Sequence, residues 1–190
     1  MIDLQEFAVR PSKFSQSGEE GITKEFIVHA YGSRSVDFAA VEFGAHDGSN
    51  SNFMALCLQG LVKGIFIECD PRRFFILQNR FGHLSNVTLI HDKVGWSEDT
   101  NLSAILQKHK VGEHEARILS IDIDGDDIHV LEAITHELDL VLIEYNPTFP
   151  SDVEFSNPRG LNWGSSPKAI KNVATTKQLF LAALTETNMV

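Results

Sequence analysis

The chain has 190 residues, 43% of them hydrophobic and 22% charged, and a formal net charge of −10. That length suits one domain with a core of its own. The charge repels phosphate backbones and anionic lipid, which excludes nucleic acid and membrane surfaces as expected partners.

The opening, MIDLQEFAVRPSK, lacks the apolar stretch of an export signal, and no apolar run nears the ~18 residues that span a bilayer, so the expected compartment is the cytoplasm. Residues 1–36 read as a helical lead-in carrying FSQSGEE, and residues 37–190 as a single core. FAAVEFG (38–44) is an apolar strand ending in glycine. Asn50 or Ser51 then caps a helix whose Phe53, Leu56 and Cys57 share a face, with Gly60 as the stop. VKGIFIEC (62–69) is a second strand. PRRFFILQNRFG opens with proline at a first helical position and ends in glycine. NVTLIHD (86–92) is a third strand, NLSAILQKH a helix, ARILSIDIDG (116–125) a fourth strand and DDIHVLEAI a short helix. LDLVLIEYN (138–146) is a fifth strand, SPKAIKNVATTKQ a helix with Pro167 in its first turn, and LFLAALTET (179–187) a sixth strand. Strands apolar on both faces, alternating with helices, predict a doubly wound, mostly parallel α/β sheet of Rossmann-like type with helices on both faces.

Ligands of such sheets sit beyond the carboxyl ends of the strands. Those ends carry Glu42 and Gly44, Glu68 and Asp70, Asp92, Asp122 and Asp124, and Glu144 and Asn146. In VEFGAHDG, Gly44 and Gly48 allow a sharp turn and close backbone approach to a ligand, and a tight turn alone explains them equally well. There is no Walker lysine, and His46 occupies the middle position of GxGxxG. Glu68, 24 residues after Gly44, is placed to accept from a ribose diol. Asp92 suits an adenine amino group or an ordinary turn. SIDIDGDD fails as an EF-hand, because the twelfth position from Asp122 is Ala133. Asp122 and Asp124, two apart on a strand, are expected to share a face and point at one ligand or ion. Glu144 and Asn146 form a second oxygen pair, and Asp122 or Asp124 with Glu144 and Asn146 would suit Mg²⁺, unless the second pair simply bonds the following loop.

Cys57 and Cys69 lack CxxC or zinc-type surroundings and read as reduced core residues. Phe74 and Phe75 read as core by their helical spacing. Trp96 and Trp163 lie in loops near the rim, as pocket or loop-anchoring aromatics.

Together these residues resemble the class I S-adenosylmethionine-dependent methyltransferases, and within them the FkbM-like group. The group's Asp-Val-Gly-Ala-Asn-x-Gly is similar to Glu42 through Gly48, with His46 in place of asparagine. Its Glu-Pro/Asp-Pro ending is similar to IECDP, and its Lys-Ile-Asp-Val-Glu-Gly to SIDIDGDD, with Ser120 for lysine. Ser-Gln-x-Gly-Glu-Asp is matched at Ser15, Gln16, Gly18, Glu19 and Glu20. The resemblance implies S-adenosylmethionine as cofactor, bound by Gln16, Glu42, Gly44, Ala45, Gly48, Glu68, Cys69, Asp92 and Asp122. It implies methyl transfer to a hydroxyl of a small molecule such as a sugar or secondary metabolite, with Asp122, Asp124 and His46 as catalytic candidates; the two oxygen pairs on neighbouring strands make Asp124, Glu144 and Asn146 the candidate Mg²⁺ ligands. An NAD-dependent oxidoreductase should show GxGxxG and a Tyr/Lys or His pair, which the sequence does not offer; a non-catalytic binding protein of the same fold is the other alternative. The resemblance further implies a last antiparallel strand between strands five and six, for which the three residues after LFLAALTET are too short. An open sheet edge with self-association or a loosely held C-terminus is expected, unless TETNMV bends back into a stub strand.

Overall fold

The computed structural model describes residues 14–15, 17–32, 39–112 and 115–190. Its centre is a six-stranded sheet. Strands β1 (Ala39–Phe43), β2 (Lys63–Glu68), β3 (Val87–His91), β4 (Ala116–Ile121) and β5 (Leu140–Glu144) are parallel, and β6 (Asn188–Met189) is antiparallel to β5. The order is β3-β2-β1-β4-β5-β6. The chain therefore builds outward from β1 to β3 and then crosses to β4 on β1's other side, so a crevice opens between the loops after β1 and β4.

Side chains alternate across these strands, and each face collects its own core. Val41, Phe43, Ile65, Ile67, Leu119 and Ile121 pack with Ile105 and Leu106 of α4 (Leu102–Lys108), Leu131 of α5 (Asp127–Ala133) and Ile170 of α6 (Pro167–Thr176). Ala40, Phe66, Ile118 and Leu142 pack on the other face with Ile22 of α1 (Glu19–Tyr31), Leu56 of α2 (Met54–Leu58) and Leu77 of α3 (Pro71–Phe81). All five residues of β1 are buried, as a central strand covered on both sides requires. The fold is Rossmann-like, as the sequence predicts.

Three of the helices start at side-chain caps. The Asp70 carboxylate accepts from the N–H groups of Arg72 and Arg73 ahead of Pro71, and Asn101 and Ser166 cap α4 and α6. The N-cap of α2 is Phe53, neither of the two candidates, though the Ser51 hydroxyl just upstream accepts from the N–H of Met54 at 2.8 Å.

Three expectations change. Residues 179–187 are not a strand. After α6 the backbone reverses through Gln178 in the left-handed region (φ 62°), and Phe180 is 85% exposed. The terminal residues fold back, with Ala183 and Val190 exchanging backbone hydrogen bonds, and Asn188–Met189 supply the short strand that covers the β5 edge. Buried Glu19 of the lead-in holds this turn, accepting from the Thr185 hydroxyl at 2.6 Å and the Asn188 amide at 3.1 Å. The stub alternative is thus the one that forms. Cys57 is buried but Cys69, one residue past β2, is exposed. Phe75 is 64% exposed, because the buried stripe of α3 runs through Leu77 and Phe81 instead. No helix of the described residues is long and apolar enough to cross a membrane.

Candidate functional site

A cavity of about 820 Å³ opens at the carboxyl ends of the parallel strands, a size and position typical of small-molecule sites in this architecture. Glu42, Gly44, Ala45, His46, Glu68, Cys69, Asp92, Asp122 and Asp124 all line it. Gly48, Glu144 and Asn146 are not among the lining residues, and Gln16 lies outside the described residues.

The loop after β1 is built by its glycines and acids. Gly44 has φ 67°, and a Cβ there would sit 1.9 Å from the Asp122 carbonyl oxygen, so this glycine lets the loop press against the end of β4. Gly48 (φ 77°) serves packing: a Cβ would meet Phe81 at 2.5 Å and Leu77 at 2.9 Å on α3. His46 also has a positive φ of 53°, a region histidine tolerates better than most residues. Asp47 closes the turn by accepting from the Ser49 N–H at 2.9 Å and pairing with Arg80 at 3.3 Å; bonds from Ser49 above all bring its carboxyl down to about 2.

Glu42 turns inward. Its oxygens accept from the Ser51 hydroxyl at 2.6 Å and from the N–H groups of Asn52 and Phe53, and the Asn52 amide reaches Ser120 on β4 at 2.9 Å. Burial outweighs these bonds and pushes the carboxyl from 4.5 up to about 7. A carboxyl whose folded pKa is raised contributes stability that is fully present below pH 4.5 and is lost as the pH rises towards 7. Asp127, buried and bonded by the N–H groups of Ile123 and Gly125, is likewise raised by burial from 3.8 to about 6. The protein is therefore expected to be more resistant to urea at pH 5 than at pH 8, with Glu42 contributing about 3 kcal/mol of the difference. Glu42→Gln should flatten that dependence by a similar amount; unchanged steepness in the variant would show that Glu42 does not titrate in this range.

Glu68 is the pivot of the crevice. It is buried, one oxygen accepts from the His46 N–H and the other from the Asp70 N–H, each at 2.7 Å, so it ties the loop after β1 to the loop after β2. Each oxygen keeps further lone pairs for a ligand. Asp92 is more heavily committed, to Lys108 at 2.7 Å, His109 at 3.2 Å and the Lys93 N–H at 2.9 Å. Burial would raise its carboxyl, but the bonds from Lys108 and His109 outweigh it and hold it below the usual range.

Asp122 and Asp124 do meet at the site, though not through strand periodicity. β4 ends at Ile121, and Asp124 takes a left-handed φ of 59°. Carboxylate oxygens of Asp122, Asp124 and Glu144 lie within 4.8 Å of one another. Glu144 is hydrogen-bonded to Asp122, and burial followed by repulsion from Asp122 pushes its carboxyl up to about 8. Asp122 is also raised, by burial and then by Asp124. Asn146 is not part of this group: its amide donates to the Trp163 carbonyl at 2.6 Å and its oxygen accepts from the Thr148 N–H and hydroxyl. It anchors the loop after β5, the alternative the sequence left open.

That loop supplies the residues that sequence reasoning missed. Buried Asn157 pins it, donating to the Leu161 carbonyl at 2.6 Å and accepting from the Trp163 N–H at 3.2 Å. Asp126 takes the Gly160 N–H at 2.8 Å, and a Cβ on Gly125 would meet the Leu161 carbonyl at 2.2 Å. Arg159, Gly160, Leu161 and Asn162 thereby form a wall of the cavity, and Trp96 joins it while Trp163 does not. The Pro-Arg-Gly sequence inside a long loop was the available signal.

No family model matches the chain, and no curated protein sequence does. Solved structures do. A candidate sarcosine dimethylglycine methyltransferase from Galdieria sulphuraria matches with a TM-score of 0.51 and 12% identity over 85% of this chain and 63% of that one. A SAM-dependent methyltransferase from Aquifex aeolicus matches with a TM-score of 0.48 and 11% identity over 90% of this chain and 86% of that one. The CurJ carbon methyltransferase matches with a TM-score of 0.47 and 12% identity over 66% of this chain. The chain spans 34% of the length of the CurJ structure and 63% of the Galdieria one. At these identities the likeness concerns the fold, which the Galdieria structure shares: a Rossmann-like sheet with helices on both faces.

Proposed function

We propose that the chain is an S-adenosylmethionine-dependent methyltransferase acting on a hydroxyl of a small molecule. The observation that carries this reading is Glu68, buried at the floor of the crevice with one backbone N–H on each oxygen and acceptor capacity left for two adjacent ribose hydroxyls. The carboxylates around the cavity favour a positively charged ligand, and the turn after β1 is exposed to the cavity at Gly44, while the Ala45 N–H is held by the Ile67 carbonyl at 3.2 Å. These features fit the cofactor. S-adenosylmethionine, when bound, supplies an electrophilic methyl on a sulfonium.

The residues of the chain then have to hold the acceptor in line and take its proton. Asp122 and Asp124 line the cavity, and the raised carboxyl of Asp122 makes it a stronger base than an ordinary aspartate. Glu144 stands beside Asp122, their carboxylate oxygens within 4.8 Å, and burial and Asp122 both raise its carboxyl, so the pair can share a proton. His46 is the second candidate base, with its imidazole 3.4 Å from Asp47 and half exposed at the cavity.

Asp122→Asn should lower kcat for methyl transfer about 10²- to 10⁴-fold with little change in affinity for S-adenosylhomocysteine. An equal loss in both quantities would assign Asp122 to cofactor binding instead. The convergence of Asp122, Asp124 and Glu144 favours a second reading of the same step, with Mg²⁺ held by these three residues and lowering the acceptor's pKa. Transfer that persists in EDTA, with no metal in the purified protein, leaves the carboxylates as base. Loss in EDTA that Mg²⁺ restores assigns the trio to the cation. Cofactor binding with no transfer to any hydroxylated acceptor would favour the non-catalytic alternative.

A further inference from the structure

The chain carries a net charge of −10, yet three cations, Arg73, Lys93 and Arg159, line this one cavity. Among the described residues none of the three makes a side-chain ion pair, whereas Arg80, Lys108 and Arg117 all do. Three of the cavity's acids are committed elsewhere: Glu68 to two backbone N–H groups, Asp92 to Lys108 and His109, and Asp126 to the Gly160 N–H and the Trp96 indole, while Asp122 and Asp124 follow β4 and Arg159 belongs to the loop after β5. Arg159 is also held in a defined pose. Its guanidinium lies over the Trp96 ring with its carbon 4.2 Å from the ring centroid, and the next residue, Gly160, is tethered to Asp126. A guanidinium stacked on an indole keeps its in-plane N–H donors available and has little freedom to lose on binding.

We propose that this wall selects the acceptor: the small molecule that receives the methyl carries an anionic oxygen group, a carboxylate or a phosphate, which Arg159 on Trp96 binds through its N–H fork with Lys93 adding charge. The proposal rests on the methyltransferase reading only for the role of the bound molecule as acceptor. The site for the anion stands on the cations themselves. Arg159 comes from the loop after β5, and Glu68, which carries the ribose assignment, from the end of β2; the two ligands would be held by different loops of one cavity.

The experiment uses the fluorescence of Trp96 in a Trp163→Phe background, where it is the sole indole of a chain with two tryptophans. Glucose, glucuronate and glucose 6-phosphate are titrated with and without saturating S-adenosylhomocysteine. Both anions should bind at least about tenfold more tightly than glucose, and their ranking tells carboxylate from phosphate. R159Q should remove that preference, R159K should retain part of it, and added KCl should weaken it. A thermal melt of R159Q matching its parent shows that the wall still folds. Equal responses to glucose, no response to either anion, or undiminished anion binding by R159Q would overturn the proposal. So would an R159Q variant that keeps the anions and loses S-adenosylhomocysteine, because Arg159 would then serve the cofactor carboxylate. If the cofactor reading alone is wrong, S-adenosylhomocysteine gives no binding heat while the titrations without it still separate the parent from R159Q.

Discussion

Replacing Glu68 by alanine should weaken S-adenosylhomocysteine binding by about 1.5–3 kcal/mol, a rise in Kd of roughly ten- to a hundredfold. Two effects act together. The variant removes the acceptors for the ribose hydroxyls, and it leaves the N–H groups of His46 and Asp70 without their carboxylate. Glu68→Gln separates them, since its amide oxygen can still accept at one position while the charge is gone. Binding should fall in the order wild type, glutamine, alanine. Equal affinity in all three would remove the ribose assignment, and with it the observation on which the function rests.

Gly44→Ala should cost about 3–5 kcal/mol in urea unfolding, the largest stability effect expected of any methyl-sized change at the site. The residue has φ 67°, and the added carbon would stand 1.9 Å from the Asp122 carbonyl oxygen. Gly60 provides the internal control: its φ is 71°, but nothing lies within 4 Å of a Cβ there. Gly60→Ala therefore carries only the left-handed strain, about 1 kcal/mol. The difference between the two variants measures how closely the loop after β1 presses on the end of β4. Equal losses would mean the loop after β1 does not press on the end of β4.

The edge strand β3 was legible from its alternating VTLI. Strands β1, β2, β4 and β5 were legible because each is largely apolar on both faces and bounded by turn residues, a pattern that central parallel strands share with little else. The sixth was misread for the same reason. LFLAALTET has the composition of a strand, but nothing in its composition says that Asn188 and Met189 cover the β5 edge or that Glu19, more than 160 residues away, holds the turn. The rim acids were legible from the rule that ligands sit past the strand ends, and Glu68, Asp92, Asp122 and Asp124 do line the cavity. How each acid is used was not legible. Asn146 and Glu144 are two apart, yet one bonds its own loop and the other reaches Asp122, because β5 ends between them. Gly48 reads as a ligand-facing glycine by its motif, but its space is taken by Phe81 and Leu77. Arg159 escaped notice because its position depends on Asn157, whose side chain fixes a loop that has no periodicity of its own.

Titration calorimetry of the intact chain with S-adenosylhomocysteine decides whether this crevice holds the methyl donor. Saturable binding at one site per chain is expected, weakened at least about tenfold by Glu68→Ala while the variant keeps a cooperative melt. No measurable heat for the wild type, or an Glu68→Ala isotherm that overlays it, would contradict the assignment of this crevice to the methyl donor.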